Sequence, residues 1–276
     1  MKITLVSYSD ISFLRSQKLL SNSALQFGVN QVLEYNDIWI KQQDTFYKES
    51  KHILRNKRGA GYWLWKPFII LDALNKIKNN DILIYVDSGA RFINSISSII
   101  NILEKKDIFL FYNNGLKNYE WTKRDCFFYM DCDSTIFHNG NQVLAGYIFC
   151  KKTEFVMSLI EEWLYYAKDE RIITDNSNRC GLSNLSGFKE HRHDQSILSN
   201  LAIKYKIELF RDPSQWGNKY KLNQFRKLGE FVENDAYEQN SFLNSHYPTI
   251  IDGHRTCYKL RLIDYLRYYC KYINVN

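Results

Sequence analysis

The stretch from Asn80 to Arg91, NDILIYVDSGAR, limits this chain to few architectures. Ile82 to Val86 are five consecutive apolar residues, mostly β-branched or aromatic, and read as a strand buried on both faces. Such a strand belongs in the middle of an α/β sheet covered by helices. The run stops at Asp87, and Ser88-Gly89 turn the chain. In open α/β sheets, ligands bind in the crevice beyond the carboxyl ends of the strands. A carboxylate there, beside a glycine that admits a bulky anion, suits a hard cation holding phosphates. Taken alone, Asp87 fits a simple turn cap equally well; three other stretches favour a site.

The flanking pattern alternates between strand and helix. Ile3 to Ser7 reads as a first strand running into Ser7-Tyr8-Ser9-Asp10, residues 13 to 27 have helical spacing, and residues 31 to 35 form a second strand. Helices are expected at 44–53, 68–78, 92–103 and 153–167, and strands at 108–112, 142–150 and 207–210. A hydrophobic content of 45% supplies a core for 276 residues. A net charge of +7 allows anionic partners, but no basic block or RNA-reading aromatic motif points to nucleic acid. Six scattered cysteines with no CxxC pair, and a quickly polar N-terminus, lead to the expectation of reduced thiols in a cytoplasmic protein. No apolar run approaches the ~20 residues of a spanning helix.

Arg58-Gly59-Ala60-Gly61-Tyr62-Trp63-Leu64-Trp65-Lys66-Pro67 is the least ordinary decapeptide. It reads as a loop whose glycines allow close backbone approach while Arg58 and Lys66 meet phosphates, or else as a turn whose aromatics join the core. Pro67 suits the first turn of a helix. Asp131 and Asp133 spell a DxD in a polar region, a short match that is a secondary metal candidate and otherwise reads as a solvated loop or helix cap. Ala145-Gly146 interrupt a strand, which marks a bulge or close approach of a ligand. Residues 169 to 187 look like a long polar loop, hence a mobile lid or an acceptor loop. Asp194-Gln195 open a helix, where a carboxylate suits the first turn or serves as a general base. His191 and His193 lack further partners at zinc spacing. His254 follows Ile250-Ile251-Asp252-Gly253. The tail from Tyr258 to Tyr272 interleaves basic and aromatic residues, as interfacial membrane helices do, and equally fits a helix docked on the core.

On the decapeptide 58–67, on Asp81 to Gly89 and on His193-Asp194-Gln195-Ser196, the chain resembles bacterial glycosyltransferases of the GT-A fold from capsule and lipopolysaccharide clusters. The resemblance covers roughly residues 1 to 210. It implies an α/β, GT-A-like (Rossmann-like) mixed, mostly parallel sheet flanked by helices, with a helical, aromatic C-terminal extension. A single domain is expected, with a nucleotide-binding half at about 1–112 and an acceptor-side half at about 113–276. It implies a donor nucleotide sugar, taken as UDP-linked, and a glycan or lipid-linked acceptor. Ser7, Tyr8, Arg58, Tyr62, Trp65, Lys66, Asp87, Ser88, Gly89, Ala145, Gly146 and Gln195 would bind the donor. Asp87, with His254, would hold Mn²⁺ or Mg²⁺, and Asp194 would act as base, as in inverting members, or lie in the region that contacts the sugar, as in some retaining ones. Gly89 stands where such enzymes usually carry a second Asp. The basic aromatic tail would hold the enzyme at the inner face of a membrane. The rival readings are a sugar nucleotidyltransferase, which usually carries a Gly-rich basic loop after its first strand, and a non-catalytic carbohydrate-binding protein.

Overall fold

The computed structural model describes residues 1–217 and 244–270. Its central sheet comprises β1 (Ile3–Ser9), β2 (Gln31–Asn36), β3 (Ile82–Val86), β5 (Ile108–Lys117), β6 (Asn141–Lys151) and β7 (Leu209–Phe210), in the order β2-β1-β3-β6-β5-β7. β4 (Arg91–Phe92) and β8 (Ile251–Asp252) pair separately as a small antiparallel ribbon. In the central sheet only β6 runs against the others. This is the mixed, mostly parallel α/β sheet flanked by helices that the sequence implies.

All five residues of β3 are buried, and the strand's alternation divides them between two cores. Leu83 and Tyr85 pack with the helices Trp65–Lys76, Glu154–Ala167 and Asp194–Lys204. Ile82, Ile84 and Val86 face Leu20, Ala24, Ile99, Leu103 and Ile251 on the other side. The chain leaves β1 toward β2 on one side and returns to β3 on the other. That reversal opens a crevice at the carboxyl ends of β1 and β3.

Two expected elements differ. The helix at 92–103 begins only at Ser97, because Arg91–Phe92 pair with Asp252 and Ile251. The polar stretch after residue 112 is not loop: β5 continues to Lys117, and three short helices follow (Asn118–Trp121, Arg124–Tyr129, Thr135–His138). Of the tail, the helix Leu262–Cys270 is described, whereas Lys271, Tyr272 and most of the polar segment before residue 240 lie outside the described residues. Among the described residues no helix is long and apolar enough to cross a membrane.

The decapeptide does something its composition does not announce. Gly59, Ala60, Gly61, Tyr62 and Trp63 all have positive φ (55°, 50°, 99°, 53° and 59°), a full turn of left-handed backbone. Each non-glycine residue in that conformation costs about 1–2 kcal/mol. The Tyr62 and Trp63 N–H groups donate to the carbonyls of Arg58 (2.8 Å) and Gly59 (3.1 Å), and Trp65 Nε1 donates to Gly59 O at 3.0 Å. A Cβ on Gly59 would lie 2.4 Å from the Trp63 ring, and one on Gly61 2.6 Å from Leu54 Cα. Both glycines are therefore required by packing within the protein, and not, as the sequence suggests, by a ligand approaching their backbone. The turn delivers the chain into the helix Trp65–Lys76 with Lys66 directed inward.

Gly61→Ala combines the backbone strain with a backbone clash and is expected to lower stability by about 3 kcal/mol. Gly115→Ala, at φ 75° but with open space around it, should cost only about 1 kcal/mol. Urea unfolding midpoints of the two variants check the difference.

Candidate active site

Lys66 lies in the first turn of its helix and is 3% exposed. Its Nζ sits 2.7 Å from Asp194 Oδ2 and 3.6 Å from Asp87 Oδ1, and donates to Ala145 O at 3.2 Å. The Tyr85 and Trp65 rings flank it at 5.3 and 5.9 Å. Burial alone would lower the Lys66 pKa. The charges of Asp194 and then Asp87 outweigh burial and hold it above the ordinary lysine value.

Asp87 stands at the end of β3 with its side chain half exposed. The β3–β6 register pairs Val86 with Tyr147, which brings Asp87 beside Gly146. The Asp87 N–H donates to Gly146 O at 2.9 Å, and a Cβ on Gly146 would come within 3.1 Å of Asp87 Oδ2. The Tyr85 hydroxyl donates to Asp87 Oδ1 at 2.6 Å. Burial, reinforced by Asp87, raises that phenol well above its usual range, so it stays a donor.

Asp194 is buried at the start of the helix Asp194–Lys204. Burial, partly offset by Lys66, pushes its pKa up to about 6. The preceding His193 has φ 52° and ψ −119°, a strained conformation for a residue with a Cβ. It is held by Nδ1 donating to Ile173 O at 2.8 Å, with Tyr62 and Trp63 packed on its ring. A left-handed turn and a strained histidine thus lie on either side of the Lys66–Asp194 pair.

The structure brings Lys66, Asp87, Ala145, Gly146 and Asp194 together and gives other candidates different work. Ser7 is buried, with its hydroxyl accepting from Gln17 Nε2 at 3.1 Å. Tyr8 and Trp65 stack on each other at 3.8 Å and are buried, so they form the wall behind the site. Tyr62 packs on His193. Ser88 donates to the Tyr8 carbonyl and ties the ends of β3 and β1. Arg58 pairs with Glu190 and, at 3.4 Å, with Asp175. Lys66 is likewise committed to carboxylates. Asp133 pairs with Arg124 (2.9 Å) and His138 (2.8 Å), which gives the second Asp of the literal DxD a structural role. His191 Nε2 donates to Ile172 O, and its Nδ1 accepts from Lys123 N, so it has no nitrogen left for zinc.

The loop expected as a mobile lid is pinned. The buried Asp125 carboxylate accepts the N–H groups of Arg179 and Cys180, and Lys123 Nζ donates to the carbonyls of Thr174 (3.1 Å) and Asn176 (2.9 Å). Neither partner is near this loop in sequence, which hid the anchoring from sequence reasoning.

Gly89 closes the site on the β4–β8 side. Arg255 N donates to Gly89 O at 2.7 Å, and a Cβ on Gly89 would lie 3.1 Å from Arg255 Cα. This packing brings the exposed Arg255 and its neighbour His254 alongside the turn after β3. Arg255 is a cation that the sequence reading missed. His254 Nδ1 accepts from Thr256 N at 3.0 Å, and its buried Nε2 has no well-formed hydrogen bond. Burial, then the charge of Arg91, lower its pKa, opposed by the Ala90 backbone. Among the described residues no three His, Cys, Asp or Glu side chains converge. Asp87 offers a half-exposed carboxylate, and His254 a buried Nε2 without a well-formed hydrogen bond; these are the two groups the sequence reading assigns to a divalent cation.

No protein-family model matches the chain, and no curated protein sequence is similar to it. Solved structures similar in fold include three glycosyltransferases. Mouse xyloside xylosyltransferase 1 in its apo form has TM-score 0.49 and 8% identity, covering 95% of this chain and 100% of that one. The apo bifunctional glycosyltransferase WbbM has TM-score 0.41 and 11% identity, covering 72% of this chain and 37% of that one. A glycosyltransferase involved in glycosylation of the major capsid of PBCV-1 has TM-score 0.38 and 11% identity, covering 64% and 72%. At these values the chemistry has to be read from the site itself.

Lys66→Met leaves Asp194 buried without its cation and is expected to cost about 3–5 kcal/mol near neutral pH. The Asp194 pKa is raised in the folded state. An acid shifted this way favours folding at low pH and loses that contribution as pH rises through its folded pKa. The deficit of Lys66→Met relative to wild type should therefore shrink as pH falls below about 6. Chemical denaturation of both proteins across that range checks the sign.

Proposed function

We propose that the chain is a glycosyltransferase that moves a sugar from a nucleotide-sugar donor, taken as UDP-linked, to a hydroxyl of a glycan or lipid-linked acceptor in surface polysaccharide synthesis. The observation that carries this reading is Asp87, half exposed at the carboxyl end of the central strand and at the point where strand order reverses, with Asp194 and Lys66 directly behind it. Asp87 and His254 would hold Mn²⁺ or Mg²⁺, and the cation, when bound, offsets charge on the leaving diphosphate. Arg255, beside Gly89, adds a protein cation on the same side. Ala145 and Gly146 line the donor pocket through their backbone.

In the reaction the acceptor oxygen bonds to the anomeric carbon as the bond from that carbon to the diphosphate breaks. The acceptor's proton passes to Asp194, whose pKa near 6 leaves it ionised at neutral pH and able to act as a base. Asp194 is paired with Lys66 in the ligand-free chain, so taking a proton requires that pair to open. Two features weigh against the rivals. The turn after β1 is a short 3-10 segment capped by Asp10 and not a Gly-rich basic loop, and Tyr8 and Trp65 stack on each other and are not left open to sugar rings.

A screen of nucleotide sugars for hydrolysis, with and without Mn²⁺, tests the proposal. One donor should be turned over, with activity lost in Asp87→Ala. Asp194→Asn should bind that donor normally and transfer about 10²–10⁴-fold more slowly. Turnover without metal, or an unaffected Asp87→Ala, would remove the assignment.

We further infer that the chain works at the cytoplasmic face of a membrane. The helix Leu262–Cys270 docks through polar contacts, Asp264 accepting from Arg15 at 2.8 Å and Tyr268 donating to Asp37. Leu262, Tyr265, Leu266 and Tyr269, at helical spacing, face solvent. Residues 255–272 carry Arg255, Lys259, Arg261, Arg267 and Lys271 against one acid, Asp264. An outward apolar face beside an excess of cations fits an anionic bilayer. The chain should co-sediment with phosphatidylglycerol vesicles and not with phosphatidylcholine vesicles, and Leu266→Glu should release it. Equal recovery in the supernatant with both lipids would refute the contact.

A further inference from the structure

Gln195 follows Asp194 in the first helical turn and is partly exposed. Its Nε2 donates to Gln142 Oε1 at 2.8 Å. Gln142, fully buried on β6, donates in turn to Asn118 Oδ1 at 2.6 Å and to Thr122 Oγ1 at 3.0 Å. Asn118, also fully buried, donates its Nδ2 to the carbonyl of Phe137 at 3.1 Å and to Asn200 Oδ1 at 2.9 Å. Among the described residues the network reaches solvent through Gln195.

The orientation of every amide in this relay follows from one atom. A peptide carbonyl only accepts, so the Asn118 nitrogen must face Phe137 O. The Asn118 oxygen then faces Gln142, which must present its nitrogen there and its oxygen to Gln195. Gln195 is left with its nitrogen toward Gln142 and its oxygen turned away. That oxygen has a single long contact, Asn113 Nδ2 at 3.4 Å, and retains acceptor capacity. Reversing any one amide would set two acceptors or two donors against each other, in a buried contact for Asn118 and Gln142 and a part-buried one for Gln195.

We propose that Gln142 is a positioning residue: through the relay it holds Gln195 with Oε1 facing the site, where that oxygen accepts a hydrogen bond from a hydroxyl of the donor sugar. The sugar contact rests on the glycosyltransferase reading; the orientation of Gln195 does not. β6 supports the placement, because the same strand supplies Ala145 O to Lys66 and Gly146 O to Asp87, three and four residues beyond Gln142.

The test uses the full chain, ¹⁵N-labelled, with the Gln195 side-chain amide assigned by its loss in Gln195→Ala. In the wild type this amide should exchange slowly, and in Gln142→Leu at the rate of a free glutamine. With the nucleotide sugar turned over in the screen above, Gln142→Leu should lower kcat about tenfold or more and change KM less than about threefold. Adding Gln142→Leu to Gln195→Ala should lower kcat by less than about twofold, since the first acts through the second. Gln195→Glu, at the exposed end where folding is least at risk, sets an oxygen against Gln142 Oε1 and should show the same loss of kcat. Multiplicative losses in the double variant, or wild-type kcat in Gln195→Glu, would overturn the proposal. If no nucleotide sugar is turned over, the sugar contact falls with the functional reading, and the exchange measurement alone decides the relay: a fast-exchanging amide in the wild type overturns it.

Discussion

A single buried ammonium sets the terms for this end of the molecule. Lys66 lies between Asp194 and Asp87, in a place where an unpaired charge of either sign would be costly. Removing the cation strands Asp194, and removing Asp194 leaves the cation with a more distant, half-exposed partner. The surrounding backbone is arranged around this requirement. The left-handed turn at 59–63 aims the helix so that its first turn points inward, and the conformation of His193 places Asp194 opposite. Strain of this kind persists where packing over-determines it. Here Trp63 on Gly59, Gly61 against Leu54, and the rings of Tyr62 and Trp63 on His193 supply that packing.

Gly89 shows how local packing excludes a second carboxylate after β3. Its α-carbon faces the Arg255 backbone, and the Arg255 N–H donates to its carbonyl. A side chain there would displace the segment that carries His254. The chain thus has one carboxylate and a close approach of the 254–255 segment, and with it come an imidazole and a guanidinium.

What the sequence made legible was local. An apolar run ending in Asp-Ser-Gly identified the central strand and its terminal carboxylate, because burial on both faces leaves an unbroken apolar signature. Asp194 at a helix start was legible for the same reason. The role of Lys66 was not, since one partner is 21 residues away and the other 128, and neither distance leaves a pattern. Arg58 looked like a phosphate cation because its partners, Asp175 and Glu190, come from the far side of the chain. Two glycines near aromatics suggested ligand approach, and only coordinates distinguish a ligand from an indole ring as the body that needs the space. Lys123 and Asp125 anchor the 174–180 segment from 51 to 55 residues upstream, so a long polar stretch that reads as a lid is fixed.

The strand that runs against the others explains why these groups meet. β3 ends at Val86, opposite Tyr147, so residues 141–146 of β6 extend past the carboxyl end of β3 and over the crevice. A parallel neighbour ending level with β3 would stop where the site begins. The antiparallel β6 enters the sheet across that crevice and supplies backbone acceptors there before it is fully paired. Ala145 O holds Lys66, Gly146 O holds the Asp87 N–H, and Gln142 holds Gln195. The glycine is needed at 146 because Asp87 Oδ2 occupies the space where a Cβ would point. Both carboxylates and the amide next to the second therefore take their positions from six residues of one strand, so a shift in the β3–β6 register would disturb all of them together.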